Sequence, residues 1–301
     1  MTAAGVQICE ACGTTVLPGD HFCEECGARV SDADIELPHV PSGRTELDLT
    51  IAAGVSDQGR VHRRNEDAFH LELVGDAIVA VVCDGISTAS SGDVASRWAA
   101  QAAGAVLADA VRNGATDLHA ASDDAVAAAR DAVTGVPATV RSDIPVPSCT
   151  LVSAVCRNGE IVVGWLGDSR AYWLAAGDNR QLTTDDSWAG EQVAAGLMSA
   201  HEAAQDRRSH AITRWIGSDT PDWAPQVVAL DVDAPGRLVL CTDGVWNYVD
   251  EADALAELVA ALPPESGAAA VARNLAEFAL QRGGRDNITA VVVDLAPPGE
   301  G

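Results

Sequence analysis

Aspartates recur where apolar runs end. The run at 79–83 meets Asp84-Gly85, the run at 238–242 meets Asp243-Gly244, and the run at 162–166 meets Gly167-Asp168. Asp286-Asn287 stands just before the run at 288–293, and Asn65-Glu66-Asp67 just before Ala68-Phe69. A single Asp-Gly is an ordinary turn. Several carboxylates gathered at one sheet edge are different, because they repel one another unless cations stand between them. Oxygen-only donors suit hard ions such as Mg2+ or Mn2+ rather than zinc. Two such ions, about 3.5–4 Å apart, clamp a phosphoryl group during its transfer.

A second set of donors lies at the N-terminus. Cys9-x-x-Cys12 and Cys23-x-x-Cys26 are each followed by glycine. This spacing predicts a zinc ribbon over 1–31, with one structural Zn2+ on four thiolates. A segment of about 30 residues needs such a metal to fold. The ribbon would cap the chain or recruit a protein partner. Cys83, Cys149, Cys156 and Cys241 lie scattered and read as small buried hydrophobes.

Composition narrows the chemistry. All 19 basic residues are arginine and none is lysine. Phosphate loops with a Walker lysine, kinase sites and Schiff-base enzymes are therefore excluded. The formal charge is −25, which leaves no basic stripe for nucleic acid. No long uninterrupted apolar stretch predicts a membrane span, and the N-terminal residues do not read as a secretory signal. A cytoplasmic location is expected.

The elements that must position the carboxylates follow from the hydrophobic pattern. Residues 32–48 are acidic, with prolines and a glycine, and read as a flexible linker. From 49 to 297 a second texture holds. Val- and Ile-rich strands are predicted at 49–55, 68–73, 77–83, 150–156, 161–166, 171–175, 227–230, 237–241 and 288–295. Alanine-rich helices are predicted at 92–110, 119–133, 251–261 and 266–282. Strands cluster, with helices between the clusters, which favours an α+β layered architecture.

In their order, Ser56-Asp57-Gln58-Gly59, Asn65-Glu66-Asp67-Ala68, Val82-Cys83-Asp84-Gly85, Gly167-Asp168-Ser169-Arg170, Thr242-Asp243-Gly244 and Arg285-Asp286-Asn287-Ile288-Thr289 resemble the metal-dependent Ser/Thr protein phosphatases of the protein phosphatase 2C family. The resemblance implies an antiparallel β-sandwich flanked by helices on both sides. It implies Asp84 as a ligand shared by two Mn2+ or Mg2+ ions. Glu66 and the Gly85 carbonyl would complete one ion's set, and Asp243 and Asp286 the other's. Asp168, with Asp243, resembles an optional third-metal site. Asp67 would orient water, and a hydroxide bridging the ions would attack phosphoserine or phosphothreonine in a protein. Bacterial-type Ser/Thr kinases and their substrates would be the partners.

The match departs from the family in places. Where many members carry a phosphate-gripping arginine, this chain has His62, flanked by Arg60, Arg63 and Arg64. His62 or one of these arginines, Arg63 among them, would take the role. Residues 183–216 resemble the family's mobile flap. Their His201 and His210 read as surface residues and Trp215 as core. Two rivals stand beside hydrolysis: a phosphoprotein-binding relative without turnover, and an adaptor acting through the ribbon.

Overall fold

Strands buried on both faces need apolar side chains at every position, and that accounts for the unbroken runs at 77–83 and 288–293. In the computed structural model, alternate residues of each strand enter different cores. Ile78, Ala80 and Val82 face the interior between two sheets, together with Leu238, Leu240, Val291 and Val293. Val79, Val81 and Cys83 turn outward onto one helical layer, and Val239, Ala290 and Val292 onto the other.

The structure describes residues 7–8, 15–16, 43–87, 89, 91–136, 146–209, 211–220 and 222–297. Strands β1 (Gln7–Ile8) and β2 (Thr15–Val16) form a short antiparallel ladder. Next come β3 (Arg44–Asp48), β4 (Ala52–Asp57), β5 (Asp67–Val74), β6 (Ala77–Asp84) and the helices α1 (Gly92–Arg112) and α2 (Leu118–Thr134). Then follow β7 (Ser148–Cys149), β8 (Leu151–Arg157), β9 (Glu160–Leu166), β10 (Arg170–Ala175) and β11 (Asp178–Gln181). Two short helices, α3 (Trp188–Ala194) and α4 (Ala200–Ala204), precede β12 (Ile216–Gly217), β13 (Gln226–Asp231) and β14 (Gly236–Cys241). The chain continues with α5 (Asp243–Trp246), α6 (Ala252–Ala260), α7 (Ala268–Gln281) and β15 (Ile288–Leu295).

One sheet has the order β11-β10-β14-β15-β4-β3 and the other β13-β9-β8-β6-β5. Every paired neighbour in both is antiparallel. Helices α1 and α2 cover the five-stranded sheet through Ala95, Ala99, Ala103, Leu107 and Ala125. Helices α6 and α7 cover the six-stranded sheet through Leu255, Val271 and Leu275. Small side chains on α1 let it lie close to both α2 and the sheet.

The α+β sandwich matches expectation, but the zinc ribbon is corrected. Among the described residues no group of three or more His, Cys, Asp or Glu side chains could hold a metal ion, and nothing here supports a Zn2+ site. Cys9, Cys12, Cys23 and Cys26 themselves lie outside the described residues. Among the described residues the fold class is thus the sandwich, with no metal-binding group beside it.

The stretch read as linker also ends sooner. Arg44–Asp48 pair with β4 as an edge strand. Ion pairs hold it where apolar alternation is lacking: Arg44 to Glu277 at 2.8 Å and to Asp57 at 3.4 Å, and Glu46 to Arg273 at 2.7 Å. Cys83, Cys149, Cys156 and Cys241 are free and buried. Among the described residues no helix is long and apolar enough to cross a membrane.

Leu107 is fully buried between α1, α2 and the sheet. Leu107→Ala should cost about 2–5 kcal/mol of stability, measured by urea unfolding. A loss below about 1 kcal/mol would show that α1 is not a core element.

Candidate active site

Every strand that carries an expected carboxylate ends at the same edge of the sandwich. Asp67 opens β5 and lies directly across from Asp84, the last residue of β6. The Gly85 N–H donates to the Glu66 carbonyl at 3.0 Å, which closes the same corner. Glu66 turns its carboxylate toward the first residue of α1, where a methyl placed on Gly92 would stand 3.1 Å from Oε1. Asp243 begins α5 just beyond β14, and Asp286 precedes β15, which pairs with β14. Asp168 follows β9, and its carbonyl accepts the Trp246 indole N–H at 3.0 Å.

These side chains sense one another. Burial drives the Asp84 pKa well above the usual carboxylate range, and the charges of Asp67, Asp243, Asp286 and Asp168 push it the same way. Asp243 is raised likewise, by burial and then by Asp286, Asp168 and Asp67. Asp67 moves from 3.8 to about 7, chiefly by burial, against the pull of the Thr289 and Thr242 hydroxyls. Asp168 also reaches about 7, through burial and then Asp185.

Hydroxyl groups fix this cluster from behind. Thr242 Oγ1 donates to Asp67 Oδ2 at 2.9 Å and accepts the Thr289 N–H at 3.1 Å. Thr289 Oγ1 donates to Ser56 Oγ at 2.8 Å, and Asn65 Nδ2 reaches the same oxygen at 2.8 Å. Thr150 and Ser169 share a 2.7 Å hydrogen bond beneath Asp84, whose N–H donates to Thr150 Oγ1 at 3.2 Å. None of these hydroxyl roles is visible in the expected ligand set, although Thr242 and Thr289 lie beside its aspartates in sequence.

The donor set fits hard divalent cations. Asp67 Oδ1 and Asp243 Oδ1 are buried with no hydrogen-bond partner, which is costly for a carboxylate oxygen unless a cation, or a water held by one, faces it. No three of these carboxylates close on a single point. Mg2+-like ions do not require that, since one or two carboxylates with water and carbonyl oxygens complete their shell.

The loop between β4 and β5 reaches over the same edge. His62 Nε2 is 3.3 Å from Asp286 Oδ1, and Arg63 is half-buried beside it. Gly59 has φ 75°, and a side chain there would collide with the Asp286 carbonyl, so the loop presses against the Asp286 turn.

The expected flap is anchored at its base. The Asp186 carboxylate accepts the Gly167 N–H at 2.9 Å, Gln226 Nε2 at 2.9 Å and Arg214 Nη1 at 3.1 Å. Arg170 grips Asp185 through Nε at 2.9 Å and Nη2 at 2.7 Å. His201 is exposed and His210 lies outside the described residues. Trp215 is half-buried rather than core, with its indole N–H on Asp219 at 3.0 Å.

Two opposed antiparallel sheets with acids at one common edge define the class, and the comparisons agree. The model described as Protein phosphatase 2C matches residues 58–279. The chain belongs to the protein phosphatase 2C family.

It is 31% identical over 252 residues to the serine/threonine protein phosphatase PstP of Mycobacterium tuberculosis, covering 84% of this chain and 46% of that one. It thus spans about half the length of that relative. To the serine/threonine phosphatase stp of Listeria welshimeri it is 28% identical over 246 residues, with 79% and 93% covered. The crystal structure of the M. tuberculosis phosphatase superposes with TM-score 0.68 at 28% identity, over 81% of this chain and 98% of that one. The PstP catalytic domain in complex with two manganese ions gives 0.63 at 26%, over 81% and 97%.

The raised carboxyls set a pH dependence. Asp67 and Asp168 titrate at about 7 in the folded chain and near 3.8 when unfolded. Folding of the metal-free chain therefore takes up protons between about pH 4 and 7, and stability falls as pH rises through that window. Asp67→Asn keeps an acceptor for Thr242 and removes the charge. In chelator it should melt a few degrees above the parent at pH 8, and the difference should shrink steadily as pH falls towards about 4. A difference that does not change with pH would contradict this.

Proposed function

We propose that this chain is a Mn2+- or Mg2+-dependent phosphatase that hydrolyses phosphoserine and phosphothreonine in proteins. The observation that carries this is the gathering of Glu66, Asp67, Asp84, Asp168, Asp243 and Asp286 at one sandwich edge, with two buried carboxylate oxygens lacking partners. Asp84 would serve two ions. Glu66 and the Gly85 carbonyl would complete one set, and Asp243 and Asp286 the other. Asp168 with Asp243 is the place for an optional third.

Bound divalent ions would supply Lewis-acid polarisation of the phosphoryl group and a water nucleophile at neutral pH. The chain's own residues do the rest. His62 and Arg63, on the loop over the acids, hold the substrate phosphate. A guanidinium offers two parallel donors to phosphate oxygens, and an imidazolium one at a time. Asp67 Oδ2 is held by Thr242, which leaves Oδ1 to orient water for attack. The proton for the departing alkoxide would come from His62 or from a bound water. The excess of acid over base favours phosphosites flanked by basic residues.

Hydrolysis of p-nitrophenyl phosphate and of phosphothreonine peptides in Mn2+ tests the reading. Asp84→Asn and Asp243→Asn should each lower kcat by about 100-fold or more while the fold persists. A folded, Mn2+-replete chain that binds phosphopeptide without turnover would instead support the phosphoprotein-binding alternative, for which His62 in place of arginine is the motive.

A further inference from the structure

The nine residues between β4 and β5 carry His62, Arg63 and Glu66, yet the segment has no strand or helix of its own. Two carboxamides supply much of its framework. Gln58 Nε2 donates to the His62 carbonyl at 2.6 Å. Asn287 Nδ2 donates to the Gln58 carbonyl at 2.8 Å and to the Arg64 carbonyl at 2.9 Å. Asn287 Oδ1 accepts the Glu66 N–H at 2.7 Å. Asn287 is buried, and its own N–H is bonded to Asp286 Oδ1 at 2.8 Å. One side chain thus ties the Asp286 turn to the backbone of Glu66, and through Gln58 to His62.

We propose that Gln58 and Asn287 are positioning residues, a carboxamide clamp that sets the phosphate-facing loop through Gln58 and the Glu66 end of the metal site through Asn287. The proposal rests on the phosphatase reading for the meaning of the loop, but its geometry stands apart from turnover.

The clamp extends to the surface. The Gln58 N–H donates to the Gly43 carbonyl at 2.8 Å, where the chain enters β3. Gly43 is exposed, but a methyl on it would collide with the Gln58 carboxamide oxygen. The methyl would also stand 2.8 Å from Gln58 Cβ, so Gly43→Ala would displace the carboxamide from His62 and shift the backbone of Gly43 or Gln58 where the chain enters β3. A remote surface alanine is therefore expected to act on phosphate binding.

The two carboxamides have separable effects. Gln58→Ala should weaken inorganic phosphate about tenfold, the value of one hydrogen bond to a preorganised loop, with Mn2+ affinity changed by less than about twofold. Gly43→Ala should reproduce this, and should add nothing in the Gln58→Ala background. Asn287→Ala should weaken both phosphate and Mn2+, because it also frees the Glu66 N–H.

Titration calorimetry of the full chain with Mn2+, and then with inorganic phosphate at saturating Mn2+, reads these constants without turnover. Hydrogen exchange at residues 59–66 should quicken in each variant. If the parent binds both probes but hydrolyses nothing, the phosphatase reading fails while the clamp is still tested. Unchanged phosphate affinity in folded Gln58→Ala and Gly43→Ala would overturn the clamp. So would parallel losses of Mn2+, phosphate and melting temperature in Gln58→Ala, which is the mark of a merely structural residue. If Asn287→Ala does not fold, the two other variants and their double mutant decide.

Discussion

Mutual repulsion among buried carboxylates is the constraint to which this molecule answers. Asp84 stands across from Asp67 at the end of the β5–β6 pair, and Asp243 and Asp286 flank it from the facing sheet. Unfolded, these groups would ionise freely in water. Folded without cations, Asp84, Asp243 and Asp67 hold protons above the usual carboxylate range, because burial and neighbouring charge both oppose ionisation. On the proposed reading, divalent cations would resolve the conflict by replacing protons and would supply Lewis acidity at the site.

The sandwich exists to hold that conflict in place. The central strands β6, β8, β9 and β15 are apolar and buried on both faces, so their register is tightly set and their ends are placed. The acids then rest on hydroxyls from Thr242, Thr289, Ser56, Thr150 and Ser169, which are short, stiff and able to turn donors toward oxygen. The loop over the cluster follows another logic. It has no ladder, and side-chain amides of Gln58 and Asn287 replace one.

Much of this is legible in the residues alone, and for physical reasons. Continuous apolar runs that stop at aspartate mark both the two-faced burial of β6, β9 and β14 and the edge where the acids meet. Alanine spaced along 92–110 marks α1, because a small-residue face is what close helix packing requires. Elements held by other means leave no such trace. β3 is mostly exposed and pinned by Arg44 and Glu46, so its residues resemble a linker. Helix α3 has no buried residue, so no apolar period announces it. The Asn287 contacts span more than 220 residues of chain and carry no local signature. Cys-x-x-Cys spacing marks pairs of thiolates that could meet one ion, and the zinc expectation resting on it was not carried by the structure.

The central claim is that cations take the place of protons at one edge of the sandwich. The direct measurement is calorimetric titration of the chelator-stripped chain with Mn2+ near pH 6.5, repeated in buffers of different ionisation enthalpy. Binding of Mn2+ with net release of protons is predicted, since Asp84 and its neighbours hold protons until the ion arrives. Failure to bind Mn2+, or binding with no proton release, would contradict it.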